Sequence, residues 1–162
     1  MKTLVSIFAL MLVSSSLFSQ SVDTQNLKFE LLCDVQVLLD NPIMLGQTPN
    51  GIRTIYPIRG GTFEGSKVKG KILANGADWL LTLDSTTSKL DVRAVFQTDD
   101  GATIYVTSVG YIHSNPDKSI YFRTIPIFET SSEKYKWLNH TIVVGVGSSI
   151  EGGVSLKYYM IK

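Results

Sequence analysis

The chain has 162 residues, 44% hydrophobic and 18% charged, with 15 Lys+Arg against 14 Asp+Glu and a single Cys. That length suits one domain, and the apolar fraction excludes a disordered polymer. One Cys excludes an intramolecular disulfide framework, and a net charge of +1 supplies no field to draw in nucleic acid or an acidic membrane surface.

Residues 1–21 have the layout of a secretory signal peptide. Met1 and Lys2 make the basic start, an apolar run extends from Leu4 to Val13, and small residues follow, with cleavage expected between Ser19 and Val22. A run of about ten apolar residues is well short of the roughly 20 a spanning helix needs, so no membrane span is expected after cleavage. The predicted localisation is export, either periplasmic or secreted. Cys33 follows the charged Lys28 and Glu30 rather than the apolar run, which disfavours lipidation. Cleavage removes Lys2 and no acid, leaving 14 bases against 14 acids.

Residues 22–162 read as one β domain. From Leu27 to Leu39 apolar residues alternate with Lys28, Glu30, Asp34 and Gln36, the period of a half-buried strand. Cys33 falls on the apolar side, the setting of a structural thiol. Residues 41–51, with Pro42, Pro49 and Asn50-Gly51, are expected to form a loop. Further strands are predicted over residues 52–59, 62–73, 77–83, 89–98, 103–113, 120–129, 141–146 and 154–161. Asn75-Gly76, Asp100-Gly101 and Gly152-Gly153 supply the residues of tight hairpins. Residues 131–139 are the only helix-like stretch, a short turn containing Trp137 and Leu138.

About nine consecutive antiparallel strands with no long helix to cover an edge are best closed into a β-barrel, with a two-sheet sandwich as the rival. Gly60, Gly61, Gly65 and Gly70 fit bends at barrel corners. The fold class expected is therefore all-β: a single antiparallel meander closed into a barrel, with one short helical turn.

Strand parity groups the candidate chemistry. Asp91 and Arg93 share a face, as do Tyr121, Arg123 and Glu129, and Tyr105 shares one with Thr103 and Thr107. Were these faces to converge inside the barrel, the lumen would hold Arg93, Arg123, Tyr105, Tyr121 and two carboxylates among apolar walls, the mixture expected of a pocket for a small organic ligand. Glu129 is then the first candidate for proton transfer and Asp91 the second, with either arginine steadying the resulting anion. The alternative for the same residues is ion pairing that fixes register. Trp137 and Asn139 would plug one barrel end or form a lid over it. Asp78 is expected to bond the backbone of the Asn75-Gly76 turn, with Trp79 in the core.

Asp99 and Asp100 are short of a calcium ligand set, and His113 and His140 with a core Cys33 are too few for zinc. No Gly-rich loop opens a helix, so neither metal nor cofactor is expected. Lys67, Lys69 and Lys71 alternate on one strand face, where they would protect an edge.

Several blocks resemble a known family: Pro57-Ile58-Arg59-Gly60-Gly61-Thr62-Phe63-Glu64-Gly65, Gly76-Ala77-Asp78-Trp79, Asp91-Val92-Arg93, Thr98-Asp99-Asp100-Gly101, Tyr121-Phe122-Arg123-Thr124, Phe128-Glu129-Thr130 and Tyr135-Lys136-Trp137-Leu138-Asn139. In this order they are similar to the domain of unknown function 3237 family, also called UPF0311. The resemblance implies a compact β-barrel and no established general activity. The export signal departs from the many relatives that look cytoplasmic. Three functions follow from these observations: small-ligand binding first, a cofactor-independent lyase, isomerase or cyclase second, and a structural module with a filled core third.

Overall fold

The computed structural model describes residues 27–162, so the expected signal segment lies outside the described residues. In chain order the elements are β1 (Phe29–Leu39), β2 (Ile43–Thr48), β3 (Gly51–Glu64), β4 (Lys69–Ile72), β5 (Gly76–Thr82), β6 (Thr87–Thr98), β7 (Thr103–Ser114), β8 (Ile120–Glu129), a 3-10 turn (Lys136–His140), β9 (Val143–Ile150) and β10 (Gly153–Ile161). Every pairing is antiparallel, and eight strands close a barrel in the order β1-β10-β9-β8-β7-β6-β5-β3, with β3 returning to β1. β4 makes a second bridge between β3 and β6, and β2 forms a hairpin on β3.

Closure depends on close backbone approach between β1 and β3. A Cβ added at Gly61 would lie 2.1 Å from the Gln36 carbonyl oxygen, and this residue sits at a φ of +152°, so any side chain there would push the seam apart.

The expected barrel and its turns are present, with three departures. Residues 41–51 do not stay a loop, since Ile43–Thr48 pair with β3 despite the flanking prolines. Residues 52–59 and the first part of 62–73 form one long strand, which breaks before β4. Lys67 thus sits in the break, bonded to Glu30 at 2.5 Å, while Lys69 reaches Asp99 at 3.7 Å. In β1 the register shifts between Leu31 and Cys33, so the alternation changes phase: Phe29 and Leu31 are exposed, whereas Cys33 and Val35 are buried.

One end of the barrel is densely filled. Phe63 stacks on Phe96 with centroids 4.8 Å apart, Phe128 meets Tyr158 edge-on at 6.2 Å, and Leu138 from the 3-10 turn is buried beside them. Tyr135 seals this end: its hydroxyl donates to Asp100 in the β6–β7 turn, where the ammonium of Lys134 holds the carboxyl well below the usual carboxylate range. Cys33 is buried in the same core, and desolvation, with a smaller contribution from the charge of Asp34, pushes its thiol up to about 12. That is an inert structural thiol.

Candidate functional site

The other end is hollow, enclosing a cavity of about 470 Å³. Its walls are mainly apolar, among them Val37, Leu80, Val92, Phe122 and Leu156, and Asp40, Asn41 and Gly152 stand in the turns at its mouth. Glycines in β9 help shape the interior. A Cβ at Gly145 would meet the Thr124 hydroxyl at 2.3 Å, and one at Gly147 would meet the Phe122 ring at 2.7 Å. Both β8 side chains therefore lie against bare backbone.

Asp78 is the acid within this cavity wall. β5 and β6 pair at Asp78 and Val92, and Val92 pairs in turn with Ser108 of β7, so the three occupy one row across the sheet. The Asp91 backbone N–H donates to Asp78 Oδ1 at 3.0 Å, tying the carboxylate to the neighbouring strand rather than to the expected turn. Asp78 Oδ2 accepts no hydrogen bond among the described residues. Burial pushes the Asp78 carboxyl up to about 6; the Asp91 amide opposes this, the Asp91 charge adds to it, and Arg53 opposes it.

Four hydroxyls accompany it. Tyr56 pairs with Asp78 across β3 and β5. Tyr158 lies deep in the barrel, its phenol held above the ordinary tyrosine range by burial and by Cys33; the nearby Ser108 hydroxyl opposes the shift slightly without reaching hydrogen-bonding geometry. The hydroxyls of Ser108 and Thr124 are buried and have no hydrogen-bond partner among the described residues.

None of the residues expected at the site lines this cavity. Asp91 and Arg93 are on the outside of β6, paired at 3.0 Å, with the guanidinium 5.3 Å from the Trp79 ring centroid. Trp79 is half-buried there rather than in the core. Arg123 lies over the Tyr121 ring at 5.0 Å on the outer face of β8, where Glu129 is also exposed. Tyr105 pairs with Glu129 on that same outer face. Trp137 packs half-buried against the filled end, and Asn139 clamps Thr130, accepting from its N–H at 2.9 Å and donating to its carbonyl at 3.0 Å. The expected inward faces of β6, β7 and β8 are the outward ones. A one-residue error in parity moves a whole set of side chains through the sheet.

The residues that do line the lumen had a weaker signature. Asp78 is an isolated acid within Ala77-Asp78-Trp79-Leu80-Leu81, the one cue that a carboxylate had been placed in an apolar strand. Ser108 and Thr124 carry no charge to single them out.

Fold and site together define a small closed β-barrel with an apolar, acid-bearing lumen. The chain belongs to the family described as protein of unknown function DUF3237, whose sequence profile matches residues 27–161. A UPF0311 protein of Clostridium acetobutylicum is 35% identical over 158 residues, a match covering 86% of this chain and 99% of the relative. The crystal structure of a β-barrel-like protein from Acinetobacter baumannii superposes with a TM-score of 0.82 at 38% identity, covering 84% of this chain and 96% of that one. A hydroalkoxylation enzyme of Penicillium herquei is 29% identical over 116 residues, covering 72% of this chain and 71% of the enzyme.

Proposed function

We propose that the protein takes a small, largely apolar organic molecule into its lumen and moves a proton on it with Asp78, as a cofactor-independent cyclase, isomerase or lyase. The observation that carries this is a carboxylate in an apolar cavity with its pKa lifted to about 6, close to where a general acid/base operates at neutral pH. Anchorage of Oδ1 by the Asp91 amide fixes the carboxylate while leaving Oδ2 for the ligand.

The Penicillium herquei relative supports this chemistry, since hydroalkoxylation adds an O–H bond across a carbon–carbon double bond. In such a step Asp78 accepts the proton of a substrate hydroxyl as its oxygen bonds to one alkene carbon. The π pair moves to the other carbon, which takes the proton back from Asp78. Atoms and charge balance without a co-reactant. Export belongs to the same proposal: protein recovered outside the inner membrane is expected to begin at Gln20, Ser21 or Val22 on N-terminal sequencing.

The test is native mass spectrometry of protein purified from its own host, followed by incubation in D2O. The wild type is expected to carry a discrete adduct that gains deuterium at carbon, and Asp78→Asn to carry the same adduct without exchange. Val92→Phe, which fills the cavity, is expected to carry none. An adduct that persists in Val92→Phe contradicts lumen binding; exchange that persists in Asp78→Asn contradicts the role of Asp78.

A further inference from the structure

Resting on the reading that the lumen binds an organic ligand, we infer that Ser108 and Thr124 form a two-donor seat for one carbonyl oxygen, and that the ligands are neutral, mostly apolar, conjugated ketones.

Both hydroxyls line the cavity, both residues are only 4% exposed, and neither hydroxyl oxygen has a partner among the described residues. Buried polar groups are almost always satisfied, so two left open in one cavity point to an occupant that completes them. Beside Ser108 the Tyr158 phenol falls outside hydrogen-bonding geometry. The β7 residue opposite Thr124 is Gly110, and the β9 residue opposite it is Gly145, neither with a side chain to offer. A carbonyl oxygen has two lone pairs and, unlike a ligand hydroxyl, no proton that needs a partner of its own, so it can accept from both hydroxyls at once; a ligand N–H can satisfy only one.

Charge narrows the class further. Among the described residues, Asp40 and Asp78 are the only charged ones in the lining, and no Lys, Arg or His joins them. A carboxylate or phosphate inside the lumen would be desolvated beside like charge, and the Arg59 guanidinium stands beside Gly152 at the mouth rather than in the lining, so the lumen disfavours anionic ligands. This reverses the sequence expectation of arginines steadying an anion, because Arg93 and Arg123 are outside the barrel.

Geometry connects the seat to Asp78. Ser108 and Asp78 lie in one pairing row with only Val92 between them, a separation of about 10 Å from two strand spacings. A fused-ring or enone body fits that interval with its oxygen on the seat and its reacting end toward the carboxylate. When Asp78 removes a proton from the conjugated system, the electron pair moves onto the carbonyl oxygen, where both hydroxyls donate to it; the proton then returns to carbon. Ser108 and Thr124 thereby stabilise charge that develops only in the reaction.

The test titrates three probes of matched size into the folded chain: 2-acetylnaphthalene, 2-ethylnaphthalene and 2-naphthoate. The wild type is expected to bind the ketone about tenfold more tightly than the hydrocarbon and not to bind the anion. In Ser108→Ala/Thr124→Val the ketone is expected to fall to the affinity of the hydrocarbon, whose unchanged binding shows the variant to be folded. Thr124→Ser, which keeps the donor, is expected to retain most of the preference. A ketone preference that survives the double variant, equal wild-type affinity for ketone and hydrocarbon, or tight binding of naphthoate would overturn the seat while leaving lumen binding intact. Failure of both neutral probes to bind the wild type would instead sink the lumen reading, and the seat with it.

Discussion

The two ends of the barrel are built from the same strands and filled in opposite ways. At the end sealed by the 3-10 turn, Phe63, Phe96, Phe128 and Leu138 pack into a continuous core, and the polar groups nearby, such as Asp100 and Tyr135, satisfy one another. At the other end the strands enclose about 470 Å³, an acid is held above its ordinary pKa, and two buried hydroxyls have no partner. Each feature of the hollow end opposes folding, by forgone dispersion contacts, desolvated charge or unmet hydrogen bonds. The contrast assigns stability to the filled end and, under the proposed function, ligand chemistry to the hollow one.

Substitutions on either side of that division are expected to separate cleanly. Phe63→Ala, in the filled end, should cost about 3–5 kcal/mol in urea unfolding. Leu90→Ala, in the cavity wall, should cost only about 1–2 kcal/mol, because the space it vacates joins a cavity already present. Equal costs would break the comparison.

Asp78→Asn should stabilise the protein while abolishing proton transfer. With a folded pKa of about 6 against an ordinary 3.8, the native state binds more protons than the unfolded state between those values. Wild-type stability therefore rises as pH falls through 6 towards 4, and the penalty is fully present above 7. The variant should gain roughly 2 kcal/mol at pH 8, a gain that shrinks on acidification and is gone near pH 4. Unfolding curves across this range check both sign and window. At the small end of the scale, Glu129→Gln and Arg123→Ala should each change stability by no more than about 0.5 kcal/mol and leave probe binding untouched, as exposed outer-face residues.

Strand alternation and hairpin residues made the barrel legible in the sequence, but not its inside. In β8 the outward set includes Ile125 and Ile127, 51% and 60% exposed, whereas the inward set includes Thr124 and Pro126. The two exposed isoleucines share their face with Arg123 and Glu129 and make it read as a pocket wall, although Phe122 and Phe128, on the uncharged alternate face, are the buried ones. β1 hides its phase change in a bulge that an unbroken run of apolar residues does not reveal. β2 forms between two prolines because β3 offers it a ladder, a tertiary pairing that outweighs local turn signals. Asp78 was visible as an acid next to a turn, but its bond to the Asp91 amide spans two strands and depends on their register.

The most direct measurement is the titration of the Asp78 carboxyl carbon by 13C NMR, with and without 2-acetylnaphthalene. The account predicts a midpoint near 6 in the free protein and a higher one when the probe fills the lumen and displaces water from the carboxylate. A midpoint near 3.8, indifferent to the probe, would show a solvated acid remote from any ligand and would contradict the assignment of the hollow end as the working site.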